Sequence, residues 1–116
     1  MSRILIVVIC GLSLVACKPT EKDFINIGES LVRNSLKDPD SAKFDSFYRP
    51  SGESDGYVCG MVNAKNSYGG YIGKKTYYVY IETKDGKLKH HGPIVIENDD
   101  DQAVLDNFRL LCQREI

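Results

Sequence analysis

The sequence predicts an α+β fold: a small antiparallel β meander of three to five strands, with an N-terminal and a C-terminal helix packed on one face. Three observations carry that expectation. Two runs with strand-like alternation, YVCGMVNA from Tyr57 and TYYVYIE up to Glu82, flank a loop rich in glycine, tyrosine, asparagine and lysine. The next segment, Lys84-Asp85-Gly86-Lys87, carries the Asp-Gly signal of a tight hairpin. Apolar residues recur at helical spacing on both sides of this block, so helices are segregated from strands along the chain.

The first helix is expected over residues 20–37. Thr20 is suited to cap it, and Asp23 three residues on completes an approximate capping box. Phe24, Ile27, Leu31 and Ser35, with Leu36 beside them, form an amphipathic stripe, and Gly28 on its border leaves room for a close approach. The helix ends at Asp38-Pro39, because a residue before proline disfavours helical dihedrals. Asp38 to Ser41 is a turn by composition. A short strand follows over Lys43 to Arg49, in which Phe44 and Phe47 cannot share a face. Strands are then expected over residues 57–64, 76–83 and 88–91, with a last edge segment at Ile94-Val95-Ile96. The C-terminal helix begins within Asn98 to Asp101 and turns Val104, Leu105, Phe108, Leu111 and Cys112 to one apolar face.

Residues 1–16 do not belong to this domain. Arg3 precedes a continuous apolar and small-residue run, Ile4 to Ala16, that is shorter than the roughly 20 residues a spanning helix needs. The order and flanks are those of an export signal. The run ends in Leu14-Val15-Ala16-Cys17, which resembles the lipobox of bacterial lipoproteins. That resemblance implies cleavage before Cys17, a diacylglycerol on its thiol and acylation of the new amine. Several chains matter, because one acyl chain alone holds a protein to a bilayer only marginally. Lys18 is not the aspartate that commonly retains enteric lipoproteins at the inner membrane, so the resemblance implies an outer-membrane anchor facing the periplasm. The chain then divides into a signal peptide (1–16), a lipid anchor and short tether (17–19) and one α+β domain (20–116). Of four cysteines, Cys10 leaves with the signal and Cys17 carries lipid. Cys59 and Cys112 remain, and an even remainder in an oxidising compartment reads as one disulfide. It closes a long loop, worth roughly 4 kcal/mol by chain entropy.

A formal net charge of −1 implies no bulk attraction to nucleic acid or lipid. Basic residues outnumber acidic ones over residues 43–91 and the balance reverses over 92–116. Catalytic patterns are absent. Asp99, Asp100 and Asp101 suit a helix start better than a calcium loop, since the spacing of an EF-hand is missing. His90 and His91 are adjacent on a strand and point to opposite faces, so they do not share a metal. Ser51 and Ser67 stand in no nucleophile motif. No cofactor, metal site or nucleic-acid partner is expected, and the protein reads as non-enzymatic.

The loop Lys65 to Lys75 is the remaining candidate. A hairpin that only turns uses about two to five residues, and this connection is far longer. Tyrosine supplies contact area at low entropic cost, and glycine and asparagine supply an adaptable backbone, a mixture found in recognition loops. The rival reading folds the loop back over its own sheet. Tyr68, Gly69, Gly70, Tyr71, Lys74 and Lys75 are the candidate binding residues. LKDPDSAKF (Leu36 to Phe44), followed by CGMVNAKNSYGGYIG (Cys59 to Gly73), resembles a recurring pattern in small proteobacterial and prophage-encoded envelope proteins. The group has no assigned chemistry; the resemblance implies a small secreted domain and lends no catalytic residue. The expected function is that of a lipoprotein held to the membrane by lipid on Cys17 and binding another envelope component, such as an envelope protein, through this loop. The alternatives are a lysozyme-inhibitor-like protein or a phage-borne superinfection-exclusion lipoprotein.

Overall fold

Thr20 starts the first helix, α1 (Glu21–Asn34), with the reciprocal cap its sequence predicts: its Oγ1 accepts from Asp23 N at 3.2 Å, and its own N–H donates to Asp23 Oδ2 at 2.9 Å. The structure, a computed structural model, describes residues 19–98 and 102–112. The signal, the lipid box and the Asp99–Asp101 run lie outside the described residues. α1 ends earlier than expected. Ser35 N donates to Val32 O and Leu36 N to Arg33 O, so three-residue bonds tighten the chain into a turn before Pro39 arrives. A single 3-10 turn, Pro39–Ser41, follows.

The strands are β1 (Lys43–Pro50), β2 (Asp55–Asn63), β3 (Lys75–Lys84), β4 (Lys87–His91) and β5 (Val95–Ile96); α2 (Gln102–Cys112) comes last. The sheet order is β1-β2-β3-β4 and every pairing is antiparallel. β5 pairs with β3 at Tyr77 and Tyr78, along the same edge that β4 occupies further on. This is the expected α+β meander with a helix at each end. Among the described residues no helix is long and apolar enough to cross a membrane.

The helices do not share a face, which corrects the expectation of both on one side. Along β3, Thr76, Tyr77, Tyr78 and Val79 are buried in succession. Consecutive strand residues point to opposite faces, so both faces of β3 are covered. On one face α1 packs Phe24 and Val32 against Val58, Val62, Tyr77, Val79 and Ile81. On the other, α2 packs Phe108 and Cys112 against Cys59 and Tyr78. β1 divides the same way. Phe44 and Tyr48 join the α1 side, and Phe47 turns its ring edge-on to Phe108 at 6.3 Å. Cys59 and Cys112 form a disulfide with a Cα–Cα distance of 6.1 Å. It ties α2 to the middle of β2 on the face away from the larger core.

Two glycines set the spacing of the α1 layer. A Cβ on Gly28 would lie 2.6 Å from Val58 Cβ, so α1 comes to rest on that side chain. Gly60 faces Ser46 on β1 and Tyr77 on β3. The Tyr77 hydroxyl hydrogen-bonds Ser46 Oγ, so the ring spans the glycine between them.

Burial pushes the Tyr77 phenol up to about 12, against a smaller lowering by the Ser46 hydrogen bond. Burial also takes Tyr48 to about 12, with the Asp55 and Glu21 carboxylates adding to it. Both values lie above the roughly 10 of an unfolded tyrosine. Below about pH 10 the phenols are neutral in either state, and their contribution to stability is fully present. As pH rises toward about 12 the unfolded chain ionises first, and stability falls. Urea midpoints are therefore expected to drop between about pH 10 and about pH 12 as phenolate absorbance appears. A midpoint that stays level while the tyrosines ionise would contradict these burials.

Candidate functional site

The Lys65–Lys75 connection is an ordered extension of the β2–β3 hairpin. Lys65 and Tyr71 form a β-bridge, and Ile72 N donates to Ala64 O at 3.4 Å. Asn66 closes the tip. Its Oδ1 accepts from Tyr68 N at 2.9 Å and from Gly70 N at 3.2 Å. Its backbone donates to Gly70 O and accepts from Gly69 N. Gly69 and Gly73 have φ of +86° and +100°, conformations that L side chains rarely adopt. Neither would crowd a neighbour with a Cβ; glycine is there for the turn. Gly73 N donates to Asn63 Oδ1 at 3.0 Å and ties the returning limb to the end of β2.

The two tyrosines have separate tasks. Tyr68 is 95% exposed, carried outward on the Asn66 turn. Tyr71 folds back: its hydroxyl donates to Ser41 O at 2.9 Å. Lys43 Nζ stands 4.7 Å from its ring centroid and Lys65 Nζ 5.6 Å. Such cation–ring contacts contribute about 0.5–1 kcal/mol at exposed sites. The Tyr71 ring still leaves 42% of the residue open. Covering and presentation therefore coexist in one loop, divided between residues three apart.

Gly70 is exposed beside the tip and Lys74 is exposed at the start of the returning limb. Lys75 is half-buried, the first residue of β3, in register with Val62. Sequence reasoning missed Ser41, Lys43 and Asn63. Ser41 Oγ accepts from Lys65 N at 2.9 Å, across 24 residues of chain. Lys43 is the cross-strand partner of Asn63. No local motif signals these contacts, because they depend on the strand register alone.

Shallow clefts flank the loop. One of about 180 Å³ is lined by Lys43, Phe44, Asp45, Met61, Asn63 and Lys74. Another, of about 220 Å³, lies between the turn that follows α1, at Leu36, and Ile72 of the loop. The opposite end of the sheet is closed by polar links. Tyr48 Oη donates to Asp55 O at 3.0 Å and Tyr80 Oη to Asp55 Oδ2 at 2.6 Å. The Asp55 contact takes the Tyr80 phenol up to about 12. α1 starts at that end, with Phe24 stacked on Tyr48 at 4.2 Å. It finishes at the loop end, where Arg33 lies over Phe44.

The other candidates stand apart. His90 is exposed, and His91 Nδ1 bonds Gly92 O at 2.6 Å. Among the described residues, no group of three His, Cys, Asp or Glu side chains comes together where a metal ion would sit. Compared with known proteins, the chain matches no family model, no curated protein and no solved structure.

Proposed function

We propose that this chain is a non-enzymatic lipoprotein, anchored through Cys17 in the outer membrane facing the periplasm, that binds another envelope component through the Lys65–Lys75 loop. The observation that carries the reading is Tyr68: a large aromatic side chain, 95% exposed, on a turn held by two side-chain and two backbone hydrogen bonds of Asn66. A built turn that spends its order on presenting a ring to solvent gains nothing for the fold. It gives an interface a rigid anchor, since less entropy is lost on binding.

The position of the loop supports the same reading. α1 begins at Glu21, four residues after the proposed lipid attachment at Cys17, at the Asp55 end of the sheet, and runs 14 residues toward the loop. At about 1.5 Å per residue that is about 21 Å. An acylated Cys17 leaves the loop on the side of the domain away from the bilayer, where an envelope partner meets it without displacing lipid.

Anchoring is tested by metabolic labelling with palmitate: the wild type is expected to carry label and Cys17→Ser to carry none. Equal labelling of the two removes the lipid anchor. Recognition is tested by separating the tyrosines. Tyr68→Ala is expected to keep the wild-type thermal midpoint and lose capture of the envelope partner by on the order of tenfold or more. Tyr71→Ala is expected to lower the midpoint, because it removes the bond to Ser41 O and the support for Lys43 and Lys65. Undiminished capture by folded Tyr68→Ala would sink the loop as the recognition surface.

A further inference from the structure

We propose that the outer edge of β1 pairs with the same edge of a second copy of this chain, antiparallel, about a two-fold axis at Phe47. This goes beyond the reading of the loop and does not depend on it. The β4 and β1 edges of the sheet differ. β4 has five residues, shifts register against β3 at Glu82/Thr83 and carries Lys87 and Lys89, devices that blunt an edge against pairing. β1 has eight residues and meets β2 one to one from Lys43 to Pro50, without a bulge. Among the described residues no strand lies on its outer side.

The ladder decides which backbone groups face outward. Ser51, in line with Asp55, donates its N–H to Asp55 O at 2.9 Å. Antiparallel pairs alternate between bonded and non-bonded, so Asp45, Phe47 and Arg49 turn their backbone groups to β2. Phe44, Ser46 and Tyr48 turn theirs outward. Pro50, with no N–H to offer, falls in the outward set. An added antiparallel strand therefore sets even-numbered residues of one copy against even-numbered residues of the other, and the two-fold axis passes through a residue.

Two such registers overlap the most strand, centred on Ser46 and on Phe47. The first sets Lys43 opposite the second copy's Arg49, like against like. The second sets Asp45 opposite the second copy's Arg49, twice, with the two Phe47 rings facing each other between the ion pairs. Opposite charges across a strand pair stabilise it and like charges oppose it, so charge selects the Phe47 register. Asp45 and Phe47 are exposed and Arg49 is half-buried. Arg49 also serves its own chain, and five N–H donors give a guanidinium room for a second acceptor. The axis is normal to the sheet, so the two α1 N-termini come to opposite ends of the joined sheet. With lipid on both Cys17 residues, one bilayer holds the pair flat, with its loops at the flanks. Pairing and the upright single copy, loop outward, are then alternative arrangements.

The test uses the full mature protein, lipidated and in detergent micelles, in two differently tagged forms. Wild-type copies are expected to co-capture. The amides of Phe44, Ser46 and Tyr48 are expected to exchange more slowly with solvent as protein concentration rises, while those of Asp45, Phe47 and Arg49 stay level. Asp45→Arg alone and Arg49→Asp alone are expected to weaken co-capture about tenfold or more. An equimolar mixture of the two variants is expected to restore it, because each then meets the opposite charge on the other. Exchange at Ser46 and Tyr48 that ignores concentration overturns the proposal, and this measurement needs no variant. Co-capture that both single variants retain marks copies gathered by the micelle and overturns it too, as does a mixture no better than its components. Slowed exchange at Ser46 and Tyr48 only on adding envelope extract would assign the edge to a strand of another protein and overturn self-pairing.

Discussion

Cys112→Ala is expected to lower the unfolding free energy by roughly 4 kcal/mol, a shift of at least about 15 °C in thermal midpoint for a domain of this size. The Cys59–Cys112 bond spans 53 residues of sequence, so its loss frees much of the unfolded chain. The folded state suffers as well. α2 is short, and its buried residues are Phe108 and Cys112. An isolated helix of this length is marginal in water. Without the bond, α2 is held mainly by Phe108, Val104 and Leu111 against Tyr57, Tyr78 and Val95. The variant is therefore expected to lose protection of α2 amides first and to expose Tyr78. Reductant applied to the wild type should reproduce the shift, and Cys59→Ala/Cys112→Ala should match the single variant. A midpoint indifferent to reductant and to Cys112→Ala would show that α2 docks by packing alone.

Gly60→Ala has the next largest expected effect. Gly60 sits mid-strand with φ of +153°. A Cβ built there collides with the Asp45 carbonyl oxygen and comes within 2.8 Å of Ser46 Cα, both backbone atoms of the paired strand. Backbone cannot rotate aside as a side chain does. Strain from the dihedral and overpacking each cost about 1–3 kcal/mol, so a loss on the order of 3 kcal/mol or more follows. The Tyr77–Ser46 hydrogen bond across the glycine is expected to break in the same step. Chemical denaturation measures the loss. A Gly60→Ala variant with the wild-type midpoint would mean that β1 can shift off β2 at no cost. Gly28→Ala brings a Cβ within 2.6 Å of Val58 Cβ, but without a left-handed dihedral or a backbone collision, and its effect should be smaller.

Much of this fold was legible locally. Thr20 and Asp23 predict their own cap, Asp85-Gly86 predicts the β3–β4 turn, and the strand alternation separates Phe44 from Phe47 before any contact is known. These are properties of neighbouring residues, and the backbone reads them over a few ångströms. The pairing of Cys59 with Cys112 was also within reach once the other two cysteines were set aside. It comes from counting, with the helical periodicity of α2 agreeing.

Which face each helix covers was decided only by tertiary structure. The two apolar stripes are equally compatible with one face or two. The sign that discriminates is the unbroken apolar run on β3, where Tyr77, Tyr78 and Val79 are all buried, and tyrosine, amphipathic as it is, reads as either inside or outside. The candidate site divides in the same way. That the loop is long and rich in tyrosine and glycine is a matter of sequence. That Tyr71 turns back to Ser41 while Tyr68 stands free follows from the register placing Lys43 opposite Asn63. Register is a relation between strands distant in sequence. Side chains from β1 that make a cleft with the loop are therefore invisible until the sheet has formed.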